Sequence, residues 1–149
     1  MPFYDQVLQS LSSYQALRTA VEKERLPVGV TGPSHIVKAH LIHTLCADTS
    51  TRGLVIVSDE GEAVRLQEDL AQMGSEAYVY VARDFTFRSV EGHSKEYEHQ
   101  RLSVLSKMLE GEYQQIIVCV DALCQYTVPP DQLLQRTFSL QVGQTIVLS

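Results

Sequence analysis

The amino-acid sequence predicts an α/β fold in which a mostly parallel β-sheet carries helices on both faces. Residues 54–57 and 116–120 are continuous apolar runs, as in strands that are buried on both sides. Segments with apolar residues three or four positions apart separate these runs, which is the spacing of helices that pack on a sheet. Because parallel strands need crossover connections, this alternation of strands and helices favours a parallel sheet.

The first predicted element is an amphipathic helix within residues 1–25. Its apolar residues are one, three or four positions apart and form one stripe, made of Val7, Leu8, Leu11, Tyr14, Leu17 and Val21. Residues 26–30 are then β-prone, with Pro27 near the start of the run, where a missing amide donor does least harm. A turn with two glycines leads into a predicted helix over 34–47, so strand, turn and helix follow in immediate succession.

A second unit of the same kind follows. The predicted strand 54–57 precedes a helix with one apolar face, made of Ala63, Leu66, Leu70 and Met73. Gly74 stands where the C-terminus of a helix favours glycine, and residues 77–81 are predicted to form a third strand.

The rest of the chain begins with an irregular aromatic stretch at 82–92. A helix is predicted over 94–109, with Gly111 at its end. The run 115–120 is the most β-branched in the chain, which predicts a central position in the sheet.

The end of the chain departs from this pattern. A double proline at 129–130 breaks the alternation, residues 131–135 are predicted to form a short helical turn, and 137–148 resemble a strand. We therefore expect three parts: the N-terminal helix in 1–25, an α/β unit over 26–136, and the start of a following unit in 137–149. The strand partners of that last part would lie beyond Ser149.

Composition and charge exclude several classes of protein. Apolar residues make up 44% of the 149 residues and charged residues 20%, the balance of a soluble globular protein. No apolar run approaches the roughly 20 residues that cross a bilayer, and no secretory signal is present, so we expect a cytoplasmic protein without membrane contact. A net charge of −6 disfavours direct binding to DNA or RNA. Cys46, Cys119 and Cys124 match no metal-binding spacing and are expected to be buried thiols.

The turn after the first predicted strand has the frame of a phosphate-binding P-loop without its chemistry. That motif needs GxxxxGK followed by Ser or Thr: the glycines let amides wrap the phosphates, the lysine reaches the outer phosphates, and the hydroxyl holds magnesium. In the frame that begins at Gly29, Ser34 stands at the second glycine, His35 at the lysine and Ile36 at the hydroxyl. Pro33 also removes an amide donor.

The sequence therefore predicts a degenerate P-loop that binds neither nucleotide nor metal tightly. Its residues are Gly29, Thr31, Gly32, Ser34, His35 and Ile36. The amides of the first helical turn could still hold an anion weakly. An ordinary Gly-Pro turn, unrelated to any P-loop, is the alternative interpretation.

Two further patterns have both a functional and a structural interpretation. Asp59 after an apolar strand imitates the acids that position magnesium in ATPases, but with Glu62 it also forms a capping box, which we favour. Glu96 and His99, with His93 nearby, have the spacing of carboxylate-bridged metal sites. One such motif without a partner is better explained as the solvated face of a helix.

The order of several segments resembles the N-terminal region of bacterial transcription-repair coupling factors. The likeness spans about residues 26–143, and its segments are LPVGVTG at 26–32, LVIV at 54–57 with the acidic helix start after it, ARDF at 82–85, EHQRL at 98–102 and ALCQ at 122–125. In that family this region is similar to the excision-repair helicase subunit UvrB, in which the Gly29 frame would be a working P-loop. The resemblance implies a UvrB-like P-loop scaffold that is kept for binding after the loss of ATP hydrolysis.

The resemblance also implies how functions are divided in the parent protein. This chain would be a non-catalytic docking module, whereas ATP, magnesium and DNA translocation belong to a separate motor, and stalled RNA polymerase is bound by another domain. The family recruits UvrA mainly through the subdomain that would begin in residues 137–149. Other domains of the same protein would be further partners.

Two other functions stay open from the sequence. One is a divergent nucleotide hydrolase that uses Lys38 and Asp59 in an unusual geometry. The other is a stand-alone protein-interaction domain unrelated to repair. Our expectation is that this chain is not an enzyme.

Overall fold

The computed structural model describes residues 3–82 and 96–137, and these form an α/β structure around one small sheet. The elements before the gap are α1 (Phe3–Gln9), α2 (Ser12–Glu22), α3 (His35–Thr49), β1 (Gly53–Val57), α4 (Glu60–Gln72) and β2 (Ala77–Tyr80). The elements after it are α5 (Glu96–Glu110), β3 (Gln115–Cys119), α6 (Val120–Leu123) and α7 (Pro130–Arg136).

The three described strands form a parallel sheet in the order β1-β3-β2. Ile117 of β3 is level with Val55 on one side and Val79 on the other. Every residue of β3 is buried, and Ile117 is fully so. The central position predicted for this β-branched run is confirmed, because a strand with neighbours on both edges and helices near both faces must be apolar throughout.

Helices α4 and α5 both pack on the sheet, but Leu54 and Ile56 of β1 are exposed, so the predicted cover of both faces is observed only in part. Helix α4 contacts all three strands through a buried stripe that contains Ala63, Leu66 and Leu70. Helix α5 contacts β2, and its Arg101 guanidinium lies 4.1 Å from the centre of the Tyr80 ring. Val79 and Tyr80 point to opposite faces, since successive side chains of a strand alternate.

Local capping signals in the sequence are also confirmed. Asp59 is the N-cap of α4, and its carboxylate accepts a hydrogen bond from the Glu62 amide. Gly74 and Gly111 follow α4 and α5 with φ of 84° and 72°, a backbone conformation in which glycine is favoured at the end of a helix.

The predicted first strand over residues 26–30 is wrong. These residues form no strand, and their apolar side chains are exposed. Val28 and Val30 line a groove beside α2 and α3 and do not join the sheet. A β-prone run becomes a strand only where a neighbouring strand accepts its backbone hydrogen bonds, and local composition does not supply that neighbour.

The single N-terminal amphipathic helix is likewise corrected, because the structure has two short helices. Helix α1 ends at Gln9 and α2 begins at Ser12. Between them the Ser10 hydroxyl donates to the Val7 carbonyl oxygen. Leu8 and Tyr14 are buried, whereas Val7 and Leu11 of the predicted stripe are about half exposed. Both helices pack on α3, and the contacts of Gln9 with Asp48 and of Asp5 with His40 are part of this packing.

Some predictions fall on residues outside the described ranges. These are the irregular stretch beyond residue 82, the start of the helix at 94–95, and the strand over 138–148. The division of the chain at residues 25 and 136 stays a prediction. Helix α6 was not predicted.

Candidate functional site

The residues of the predicted degenerate P-loop lie at the N-terminus of α3. Gly29, Thr31 and Gly32 are exposed, Ser34 is the N-cap residue, and His35 begins the helix. Gly32 has a φ of 94°, which favours glycine at this turn. The Ser34 side chain makes no capping hydrogen bond. The structure thus brings the predicted residues together in one exposed turn.

In the predicted P-loop frame, the residue at the lysine position is paired with a carboxylate. His35 Nδ1 lies 3.1 Å from Oδ2 of Asp69, a residue of α4, and both side chains are partly exposed. In a nucleotide site this place would hold a positive amine that faces the outer phosphates. Here an acid stands beside the first turn of the helix, and its negative charge opposes an incoming phosphate.

In the same predicted frame, the residue at the position of the Ser or Thr hydroxyl is aliphatic. Ile36 is half exposed, and it borders a cavity of about 470 Å³ together with Tyr4, Val37 and Met73. An alkyl side chain gives a magnesium ion no oxygen ligand.

A groove of about 780 Å³ lies in front of the turn, between α2, residues 28–34 and α3. Most of its side chains are apolar and include Leu8, Leu11, Leu17, Val28, Val30, Val37 and Leu41. Aliphatic groups fit such a lining better than phosphates do, because a buried phosphate needs donors or cations.

Asp59 and Glu62 serve as helix caps. Asp59 Oδ1 accepts from the Glu62 amide at 2.8 Å, and Glu62 Oε2 accepts from the amide and hydroxyl of Ser58 at 3.2 and 2.8 Å. The bonds from Ser58 lower the pKa of Glu62, with a smaller contribution from Lys38, and the bond from the Glu62 amide lowers the pKa of Asp59. Capping, the interpretation favoured from the sequence, is confirmed.

The sequence did not reveal that the histidines of α3 each contact a different part of the chain. His40 Nε2 lies 3.0 Å from the buried Asp5 carboxylate of α1, and His43 Nδ1 lies 2.6 Å from the Ser75 hydroxyl. Both rings border the same cavity as Ile36. The sequence shows only that these histidines lie on one helix, because the residues that they contact are more than thirty positions away.

Asp48 at the end of α3 holds the N-terminal helices. Its carboxylate accepts from Gln9 Nε2 at 2.8 Å and from the Tyr14 hydroxyl at 2.7 Å, and Arg18 lies 3.8 Å away. Burial, and next the hydrogen bond to Asp48, raise the pKa of Tyr14 well above its usual value. This contact keeps α2 beside the groove.

Arg101 lies at the carboxyl ends of β2 and β3, the edge at which open α/β sheets bind ligands. It is buried and donates to the Val81 carbonyl oxygen at 2.6 Å and to Gln125 Oε1 at 3.3 Å. Its guanidinium also stacks on Tyr80. These contacts join the end of β2 to the segment that follows α6.

The other candidate chemical groups are dispersed. Glu96 and His99 are exposed, in agreement with the solvated-face interpretation, and His93 lies outside the described residues. Within residues 3–82 and 96–137, no three His, Cys, Asp or Glu side chains converge as a metal site would require. Cys119 is buried as expected and Cys46 is partly buried, but the expectation is wrong for Cys124, which follows the short helix α6 and is exposed.

No helix in the described part of the chain has the length and apolar character needed to span a membrane. Comparison of the chain with protein-family models, curated proteins and solved structures found no match.

Proposed function

We propose that this chain is a non-catalytic docking module, a UvrB-like P-loop scaffold from a transcription-repair coupling factor. The observation that carries the proposal is the contact between His35 and Asp69 at the N-terminus of α3. It places a carboxylate where a nucleotide-binding loop needs a lysine ammonium.

The electrostatic consequence is large enough to matter. A phosphate charge about 4 Å from a carboxylate is repelled by roughly 4 kcal/mol at an effective dielectric constant of about 20. The His35 side chain is also shorter than that of a lysine and carries no ammonium to the outer phosphates. Ile36 provides no ligand for magnesium. The missing metal ligand and the missing amine therefore both lower the affinity for a nucleotide.

The docking role is supported by the surface around the loop. The apolar groove between α2 and α3 offers contact area to a protein segment and little to a charged small molecule. The assignment to the coupling-factor family rests on the ordered segments between residues 26 and 143. In that assignment UvrA, RNA polymerase, DNA, ATP and magnesium are bound mainly by other parts of the parent translocase.

Titration calorimetry of the 149-residue chain with magnesium-ATP tests the absence of nucleotide binding. We expect no binding up to millimolar nucleotide, and micromolar affinity would contradict the proposal. The variant Ser34→Gly/His35→Lys/Ile36→Thr, made with and without Asp69→Asn, tests the role of the carboxylate. Any recovered binding should need Asp69→Asn, since otherwise the new lysine pairs with Asp69.

The family assignment is tested separately by the coding sequence downstream of codon 149. A coupling factor requires an intact P-loop motor there, and its absence would favour a stand-alone interaction domain. ATP turnover that is abolished by Asp59→Asn would instead favour the divergent hydrolase.

A further inference from the structure

A polar side chain without a partner lies in the centre of the sheet. Gln115 is the first residue of β3, and only 1% of its surface is exposed. Its carboxamide oxygen Oε1 accepts no hydrogen bond from the residues that the structure describes, and every other buried side-chain nitrogen or oxygen in that part of the chain has a partner. Burying an amide without a partner destabilises a fold, whereas an aliphatic side chain in a central strand stabilises it. A role in binding would explain why a glutamine stands here.

The strand neighbours of Gln115 leave space beside its side chain. Gln115 is level with Gly53 of β1 and with Ala77 of β2, so a small residue flanks it on each side. A Cβ atom at Gly53 would lie 3.2 Å from Sγ of Cys46 and 3.4 Å from Cγ of Gln115. The glycine therefore allows Cys46 of α3 to lie close to the Gln115 side chain.

Gln115 borders a cavity of about 270 Å³ at the C-terminal end of α3. The facing walls are His43 and Cys46 of α3 and the turn over residues 50–52, and most of the lining side chains are polar. Since one water molecule occupies about 30 Å³, the cavity is large enough for a small organic molecule. It lies at the opposite end of α3 from the predicted P-loop frame, roughly 20 Å away along the helix axis.

The charges around this cavity favour a neutral ligand. None of the described residues that line it is acidic, and Arg52 contributes a positive charge, so a cation would have no carboxylate as a partner. The negative end of the α3 dipole lies here and opposes an anion. Arg52 is also engaged elsewhere, because it donates to the Gly111 carbonyl oxygen at 3.0 Å and its guanidinium lies over the Tyr113 ring.

We propose that this cavity binds a small neutral molecule through a primary carboxamide group, which pairs with the carboxamide of Gln115. In the pair an N–H of the ligand donates to Gln115 Oε1, and Gln115 Nε2 donates to the ligand oxygen. The oxygen and nitrogen of a glutamine amide exchange places when its terminal torsion turns, and a primary carboxamide matches either orientation. The site is independent of the docking function proposed above.

NMR titration of the ¹⁵N-labelled 149-residue chain with benzamide tests the proposal. We expect saturable shifts of the Gln115 side-chain amide, with a dissociation constant in roughly the millimolar range. Benzoate and benzamidine have nearly the same shape, but the first is an anion and the second a cation. Each should bind at least about tenfold more weakly than benzamide, because a charge enters a cavity that cannot neutralise it. Equal binding of the three compounds, or no saturable shift with benzamide, would overturn the proposal.

Gln115→Met keeps the length of the side chain and removes its carboxamide. It should weaken benzamide binding at least about tenfold without lowering the urea midpoint of unfolding, since the lost acceptor has no partner within the described chain. Gln67→Met is the matched control. Gln67 Nε2 donates to the Ala77 carbonyl oxygen at 3.0 Å, so this change should lower the midpoint and leave benzamide binding unchanged. A lower midpoint for Gln115→Met would show that Oε1 already has a partner in the free chain, such as a bound water, and would overturn the proposal.

The cysteines provide a test that needs no variant. Cys46 is partly buried and lines the cavity, whereas Cys124 is exposed and lies after α6. Benzamide should slow the alkylation of Cys46 by N-ethylmaleimide, to half its rate at a concentration equal to the dissociation constant. The rate at Cys124 should not change. Mass spectrometry of the peptides gives both rates, and equal protection of the two cysteines, or of neither, would contradict binding in this cavity.

Discussion

At the scale of single residues, side-chain carboxylates organise the described helices. Asp59 and Glu62 cap the start of α4, and Asp48 accepts hydrogen bonds from both N-terminal helices. In each case the acid replaces water as the partner of a donor, which stabilises the local fold. Hydrogen bonding within the fold therefore explains the positions of these three acids.

Asp59→Ala should lower the urea midpoint of unfolding at pH 7, whereas Asp59→Asn should retain most of the stability because asparagine is also a good N-cap. Hydrogen bonds lower the pKa of Asp59 and Glu62 in the folded chain. Their contribution is therefore complete above about pH 5 and is lost as the pH falls through the lowered values. Urea unfolding of the wild type and Asp59→Ala at pH 7 and pH 3 checks this, and a difference that does not shrink at pH 3 would contradict it.

Tyr14→Phe should cost about 1–2 kcal/mol at pH 7, because it leaves the Asp48 carboxylate without one donor. The pKa of Tyr14 is raised in the folded chain, mainly by burial. Its contribution is present below about pH 10, the unfolded value, and is lost as the pH rises above it. The stability difference between wild type and variant should therefore shrink above pH 10. Urea unfolding measured by circular dichroism gives both values, with Tyr126→Phe, at a tyrosine that is 68% exposed, as the control.

At the scale of elements, contacts distant in sequence determine where helices and strands lie. Helix α3 contacts α1 through His40 and α4 through His35. Residues 26–30 show the opposite case, since their composition favours a strand but they pack beside α2 and α3. A local pattern predicts what a segment could become, and its neighbours decide the outcome.

Arg101→Met should destabilise the chain by roughly 2–3 kcal/mol, because hydrogen bonds to the Val81 carbonyl oxygen after β2 and to the Tyr126 carbonyl oxygen after α6 are lost. Arg101→Lys should recover little, since an ammonium cannot reproduce the planar donors that stack on Tyr80. Hydrogen exchange should show faster opening of β2 in both variants. Equal stability of Arg101→Lys and wild type would disprove the need for the guanidinium.

At the scale of the whole molecule, the sheet has a fully buried centre and an exposed edge. Ile117 of β3 has no exposed surface, and Ile56 of β1 is more than half exposed. The same change at these two isoleucines therefore compares the centre of the core with the exposed edge strand.

Ile117→Val should cost about 1 kcal/mol, because one buried methyl group is lost and a small cavity is left. Ile56→Val, the matched control, should cost only a few tenths of a kcal/mol, because the Ile56 side chain is more than half exposed. Thermal and urea unfolding give both values. Equal losses at the two sites would contradict the described exposure of β1.

The sequence by itself determined the α/β class, strands β1, β2 and β3, helices α3, α4 and α5, and the capping of α4. These follow from apolar runs, helical spacing and short-range hydrogen bonds, all of which act within about one element. It also placed His35 and Ile36 at the lysine and hydroxyl positions of the predicted P-loop frame.

Only the tertiary structure decided that β1 lies at an edge, that residues 26–30 stay outside the sheet, and that Asp69 faces His35. Each of these depends on residues far apart in the chain, such as His35 and Asp69, which are thirty-four positions apart. Strand order and side-chain pairing arise from packing and charge across the folded molecule, and no local pattern encodes them.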